Sequence, residues 1–222
     1  MDTYSSDKVR ILLDGRSAEV PRGTTILEAA RGMAVAIPTL CNYRGLSPYG
    51  ACRICVVEID TAGGPKQVAA CSHPVEDNLV VLTDTDGIRE SRRTILELLL
   101  AQAPDSTELA GIAAGLGIRS TPFEAAPEGK CILCGLCVSV CGGLMGRGAI
   151  SLHGRGGRRA VATAFGEPTD QCQACGACAF VCPAGAIDLA TITARRVKPH
   201  ITDFDRGLSA RPCIDLAHPQ AS

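Results

Sequence analysis

Twelve of the thirteen cysteines in this 222-residue chain fall into three sets of four. Cys131, Cys134, Cys137 and Cys141 read C-x2-C-x2-C-x3-C, and Cys172, Cys175, Cys178 and Cys182 repeat that run. This is the spacing that holds paired [4Fe–4S] clusters. Pro183 follows the second run and Gly142 the first. Cys41, Cys52, Cys55 and Cys71 are spaced C-x10-C-x2-C-x15-C in a Gly-containing loop, which suits one [2Fe–2S] cluster. So many soft thiolates point to one-electron transfer before any other chemistry.

In tandem [4Fe–4S] runs three cysteines hold one cluster while the last crosses to the other. Cluster A is therefore expected on Cys131, Cys134, Cys137 and Cys182, and cluster B on Cys172, Cys175, Cys178 and Cys141. Gly135, Gly176 and Ala177 let the backbone approach closely. Zinc is the alternative ligand for C-x2-C pairs; two paired runs with a C-P ending argue against it. The N-terminal set is looser, and its context decides. Gly45 and Gly50 bracket the loop, Cys52-Arg-Ile-Cys55 leads into a strand, and Cys71 closes the next hairpin. Cys213 has no nearby cysteine partner and reads as a free thiol. His73, His153, His200 and His218 are scattered; His73 lies two residues beyond an expected ligand but reads first as a loop residue. The basic run Arg155–Arg159 reads as a solvated loop or a face for an acidic partner.

Composition narrows the setting. The chain is 46% apolar with 3 Tyr, 4 Phe and no Trp, so iron–thiolate bonds must supply cohesion that large side chains do not. A net charge of −1 gives no pull toward nucleic acid. The longest apolar run, near Leu96 to Ala101, is far short of a membrane span. Thirteen cysteines with no apparent secretion signal fit a reducing cytoplasm.

The elements that must position these cysteines follow from local pattern. Strand-like runs at 8–13 and 17–20 flank the turn pair Asp14-Gly15. Thr24-Thr25-x-x-Glu28 opens a helix through about Met33. A cluster loop from Pro38 to Cys55 precedes strands at 56–60, 67–71 and 79–84. That order is a β-grasp ferredoxin. Helices are expected over 87–102, packed on the first domain, and over 106–116, followed by a Pro/Ala/Glu-rich linker at 119–128. The second domain is an internal repeat, Cys131–Ile150 and Cys172–Ile187, with a longer insert than a minimal ferredoxin needs. The expected class is α+β, with a β-grasp [2Fe–2S] domain at 1–84, a helical connector at 85–128, a bacterial-type 2[4Fe–4S] ferredoxin domain at 129–190 and an extended tail at 191–222 suited to subunit contact. No G-x-G-x-x-G follows a strand, no nucleophile–base pair stands out, and no catalytic site of its own is expected.

P-T-L-C-N-Y-R-G-L-S-P-Y-G-A-C-R-I-C-V-V-E-I (38–59) and A-C-S-H-P-V (70–75) resemble the N-terminal iron–sulfur region of the large subunit of respiratory complex I. In size the chain is closer to the small diaphorase subunit of NAD-reducing nickel–iron hydrogenases. The likeness covers roughly 8–190. It implies a relay beside a flavin subunit that oxidises NAD(P)H, feeding a further redox subunit. One departure stands out: the family usually holds another [4Fe–4S] cluster on one His and three Cys, and the matching stretch 96–118 contains neither residue. The tail 204–221 loosely resembles a segment of heterodisulfide-reductase flavoproteins. The expected function is thus an electron-transfer subunit of a multisubunit cytoplasmic oxidoreductase with no membrane span and no nucleic-acid partner. Alternative settings are a formate dehydrogenase, a heterodisulfide-reductase-type bifurcating complex, or a free-standing polyferredoxin, against which the small net charge argues.

Overall fold

The computed structural model describes residues 7–166 and 169–188. Cys213, His200, His218 and the whole of the tail at 191–222 lie outside the described residues.

Strands β1 (Lys8–Leu13) and β2 (Arg16–Pro21) form a hairpin whose turn residues, Asp14 and Gly15, both have positive φ (48° and 77°). A two-residue turn matching the right-handed strand twist needs that conformation. The Asp14 carboxylate is fixed as well, accepting from the Thr83 N–H (2.8 Å) and hydroxyl (2.6 Å). Helix α1 (Ile26–Gly32) begins at a reciprocal cap: Thr25 Oγ1 accepts from the Glu28 N–H, and Glu28 accepts from the Thr25 N–H. Strands β3 (Val56–Ile59), β4 (Lys66–Ala69) and β5 (Leu79–Leu82) complete a five-stranded sheet of order β2-β1-β5-β3-β4. Within it β1 and β5 are parallel and the other pairs antiparallel. Residues alternate in and out along β1, and Val9, Ile11 and Leu13 pack with Ile26, Leu27, Ala30, Val57 and Val81 to bury α1 on one sheet face.

Helix α2 (Asp86–Gln102), capped by Thr85, has two jobs. Its first half lies on the sheet, where Arg92 Nη2 donates to the Val56 carbonyl (2.8 Å) and Ser91 bonds Gln67 (2.7 Å). Its second half enters a different core. Leu96, Leu99 and Ala103 pack with Leu109 and Ala113 of α3 (Thr107–Gly115), with Leu40, Cys41, Cys52 and Ile54 of the first cysteine loop, and with Ile132, Cys134, Leu136, Val140, Val181 and Ala184 beyond the linker. The second core therefore crosses the expected domain division. Stretch 96–118, where the resemblance implies a further set of His and Cys ligands, here contributes leucine, alanine and isoleucine to that core. Ser106 is 1% exposed and pins the junction: its hydroxyl caps α3 by accepting from the Leu109 N–H and donates to the Ala184 carbonyl (2.9 Å).

The C-terminal repeat is visible in the backbone. Four-residue helices α4 (Leu136–Ser139) and α5 (Ala177–Phe180) pack together, each entered through a left-handed glycine, Gly135 and Gly176, both at φ 78°. After α4 the chain widens into a π-turn over Val140–Leu144, and the insert forms a hairpin of β6 (Ser151–His153) and β7 (Ala160–Ala162) that the sequence pattern did not disclose. Among the described residues no helix is long and apolar enough to cross a membrane. The described architecture is α+β.

Candidate metal centres

All twelve cysteines of the three sets are described, and none of them is paired in a disulfide. The first set is buried and converges. Cys41 lies in the loop after α1, Cys52 and Cys55 form the turn into β3, and Cys71 follows β4. The Cys52 N–H donates to Cys41 Sγ at 3.4 Å. The Cys41 thiol is held far below its ordinary value because the Cys52 and Cys71 thiols donate to it. Cys71 is pushed up by its bonds to Cys41 and Cys55, while Cys55 is lowered to about 7, chiefly by Cys71. The four sulfurs thus form one connected group, Cys52–Cys41–Cys71–Cys55. Arg53, between Cys52 and Cys55, sits at φ 61°, the tight local conformation that a C-x2-C turn around a metal group requires.

The two long runs share one local design. In each, the residue before the second cysteine and the residue after it have positive φ: Leu133 (53°) and Gly135 (78°) in the first, Ala174 (51°) and Gly176 (78°) in the second. Positive-φ residues on both sides of a cysteine curve the backbone tightly, which suits a loop wrapped around anionic sulfur. The Leu133 N–H donates to Cys131 Sγ (3.4 Å), and the Ala186 N–H to Cys182 Sγ (3.3 Å).

Electrostatic neighbours sort the thiols into groups. Burial pushes Cys134 up to about 11, and the nearby Cys182, Cys131 and Cys41 add to it. Cys137 rises to about 12 through burial and then through Cys134, Cys131 and Cys182. Cys182, from across the repeat, is therefore an electrostatic neighbour of Cys134 and Cys137. Cys178 is raised by burial and by Cys175 and Cys172. Cys141 lies in the π-turn that packs on α5, the helix bearing Cys178. Each group has one exposed thiol, Cys131 or Cys175; of the rest, Cys134 and Cys137 are buried, whereas Cys182, Cys172, Cys178 and Cys141 are half-buried. Among the described residues no three His, Cys, Asp or Glu close on one point as the ligands of a single ion do. The donor set is thiolate with N–H groups donating to sulfur, and it fits clusters.

The first loop and the dicluster loops touch. The Tyr49 ring lies 3.3 Å from where a Cβ on Gly135 would stand, Arg159 Nη2 donates to the Tyr49 hydroxyl (2.7 Å), and Tyr43 meets Phe180 edge-on at 6.3 Å. Sequence reading had singled out none of these aromatic contacts, because nothing in the local pattern pairs positions so far apart. His73 takes part in the described hydrogen bonds through its backbone, and His153 bonds Ser151 (2.9 Å).

Residues 6–86 match the 2Fe-2S iron–sulfur cluster binding domain, and residues 130–186 the 4Fe-4S dicluster domain. The NADP-reducing hydrogenase subunit HndD of Solidesulfovibrio fructosivorans is 35% identical over 208 residues, covering 80% of this chain and 35% of that one. The alpha subunit of the NADPH-Fe(3+) oxidoreductase of Geobacter sulfurreducens is 33% identical over 203 residues, 81% of this chain and 24% of that one. This chain is a homologue of these two subunits. It is also similar to the complex I 75 kDa subunit of Reclinomonas americana, 41% identical over 96 residues, 43% of this chain and 14% of that one. Among solved structures, a chain of the NAD+-reducing [NiFe]-hydrogenase in the H2-reduced state superposes with a TM-score of 0.63 at 28% identity, over 70% of this chain and 74% of that chain. The chain spans about a third or less of the length of the curated relatives named here. Both domain types bind iron–sulfur clusters, and the relatives belong to NAD(P)-linked oxidoreductases.

Proposed function

We propose that this chain is a three-cluster electron relay in a cytoplasmic, NAD(P)-linked oxidoreductase complex. One [2Fe–2S] cluster sits on Cys41, Cys52, Cys55 and Cys71. Cluster A, [4Fe–4S], sits on Cys131, Cys134, Cys137 and Cys182, and cluster B on Cys172, Cys175, Cys178 and Cys141. Each cluster supplies a reversible one-electron couple; the protein's part is to space the sites, dress the sulfurs with N–H donors and set the access of water.

The observation that carries this reading is the adjacency of sites. Cys41 and Cys134 share one apolar core, and the Cys41 charge is felt at Cys134, which supports a [2Fe–2S] site beside cluster A. Cluster A in turn meets cluster B through the crossed repeat, with α4 packed on α5. The route runs through three adjoining sites without using the stretch 96–118. Its partners are a flavin subunit that oxidises NAD(P)H and a second redox subunit of the hydrogenase type.

The deciding experiment is reduction of the isolated, anaerobically prepared chain. Dithionite should elicit paramagnetic signals of both cluster types, whereas NADH or NADPH should reduce it only when a flavin-bearing subunit is added. Pyridine-nucleotide oxidation by the flavin-free chain overturns the relay assignment.

A further inference from the structure

The net charge of −1 conceals a strong polarity. From Gly129 to Gly166 there are five basic residues, Lys130, Arg147, Arg155, Arg158 and Arg159, and no Asp or Glu. The chain has 22 Lys and Arg against 23 Asp and Glu, so the remainder holds 17 against 23. All five basic side chains belong to exposed residues.

This stretch is built, not loose. The β6–β7 hairpin is in register from Ser151↔Ala162 to His153↔Ala160, and its tip folds so closely that a Cβ on Gly154 would stand 2.5 Å from the Arg158 carbonyl oxygen. Arg159 is anchored to Tyr49, whose ring rests on Gly135 between Cys134 and Cys137. At the other end, the Arg147 N–H donates to the Cys141 carbonyl (2.8 Å). The basic stretch thus runs from a cluster B cysteine to the loop of cluster A. Leu144 and Phe165, 67% and 98% exposed, lie within it. Charge that steers and apolar surface that seats are the two components of a transient protein contact.

We propose that this hairpin face is the docking site of an acidic one-electron iron–sulfur carrier protein, exchanging electrons with cluster B or A. The inference rests on the three-cluster reading. One electron passes between the reduced carrier and an oxidised cluster of this chain, or back, with no bond made and no proton moved. A protein is favoured over a nucleic acid because the basic residues bracket the thiol loops, where an electron donor or acceptor must come close.

The test uses the full chain loaded with iron and sulfide, with a small acidic ferredoxin as probe and rapid-mixing measurement of electron exchange. The rate constant should fall about tenfold as ionic strength rises from roughly 0.05 M to roughly 0.5 M. Arg155→Glu with Arg158→Glu should lower the low-salt rate about tenfold and flatten its salt dependence, with the clusters' paramagnetic signals unchanged. Arg147→Glu, on a separate turn, gives the same reading if the double variant fails to load. A salt-insensitive rate, equal rates in the variants, or equally tight, competing binding of a short DNA duplex overturns the docking site. Absence of cluster signals in the unaltered chain overturns the three-cluster reading instead.

Discussion

Tyr49 lies against Gly135, its Cδ1 3.3 Å from the point where a Cβ would be. A residue from the loop of one metal centre thereby closes over the loop of another, and Gly135 leaves it room while holding φ 78°. Gly135→Ala asks for both a left-handed alanine and a displaced ring, a cost of about 1–3 kcal/mol. The expected outcome is a lower unfolding midpoint and weakened cluster A absorption. Gly143→Ala, which meets open space with no positive φ, should leave both unchanged.

Ser106→Ala removes the cap of α3 and the bond to the Ala184 carbonyl at a site with 1% exposure. Leaving buried partners unpaired should cost about 1–3 kcal/mol. Chemical unfolding of the loaded protein measures this, and Ser106→Thr, which keeps the hydroxyl, should recover part of the loss.

Cys141→Ser should damage cluster B, not the cluster of its sequence neighbours, because the π-turn carries Cys141 against α5. Selective loss of the Cys172–Cys175–Cys178 signal is the expected spectrum. Loss of cluster A alone would refute the crossing.

Iron analysis of anaerobically prepared protein should give about 10 iron and as much acid-labile sulfide per chain, from one [2Fe–2S] and two [4Fe–4S] clusters. A value of about 14 would require a third cubane, for which 96–118 offers no His or Cys. Stoichiometric zinc without sulfide would remove the basis of the relay.

Arg92 is a half-buried cation beside the first set: it donates to the Val56 carbonyl next to Cys55; Asp84, Cys55 and Asp14 lie within its electrostatic reach; and its Nε has no partner among the described residues. A nearby positive charge favours the more negative, reduced cluster. Arg92→Met should shift the [2Fe–2S] reduction equilibrium about tenfold toward the oxidised form, about 60 mV for a one-electron couple. Arg92→Lys should retain much of the charge effect. Redox titration of the paramagnetic signal decides, with the [4Fe–4S] potentials as internal reference.

Much of this was legible in the chain because the signals are local. Alternation in KVRILL, the Asp14-Gly15 pair and the Thr25–Glu28 box fix β1, the hairpin and α1 within a residue or two of the expected limits. Ser106 and Leu116 prove to be the caps flanking α3, not its helical residues. The repeat predicted from cysteine spacing reappears as matched dihedrals at Leu133 and Ala174 and at Gly135 and Gly176. What escaped notice depends on distant pairs. Arg159 with Tyr49 and Ser106 with Ala184 are separated by 110 and 78 positions, and no periodicity encodes them. The basic run alone reads as a solvated loop or an acidic partner's face; its hairpin geometry comes only from the fold.

The second core has a consequence for how such a protein is made and how it fails. Leu40, Cys41 and Cys52 pack in the same apolar mass as Cys134, Leu136 and Val181. Close-packed interiors transmit displacement, and metal insertion is coupled to folding. With the proposed clusters in place, loading one centre should shape the pocket of its neighbour, and loss of one should loosen the wall of the next, so that the chain ages as a unit rather than site by site.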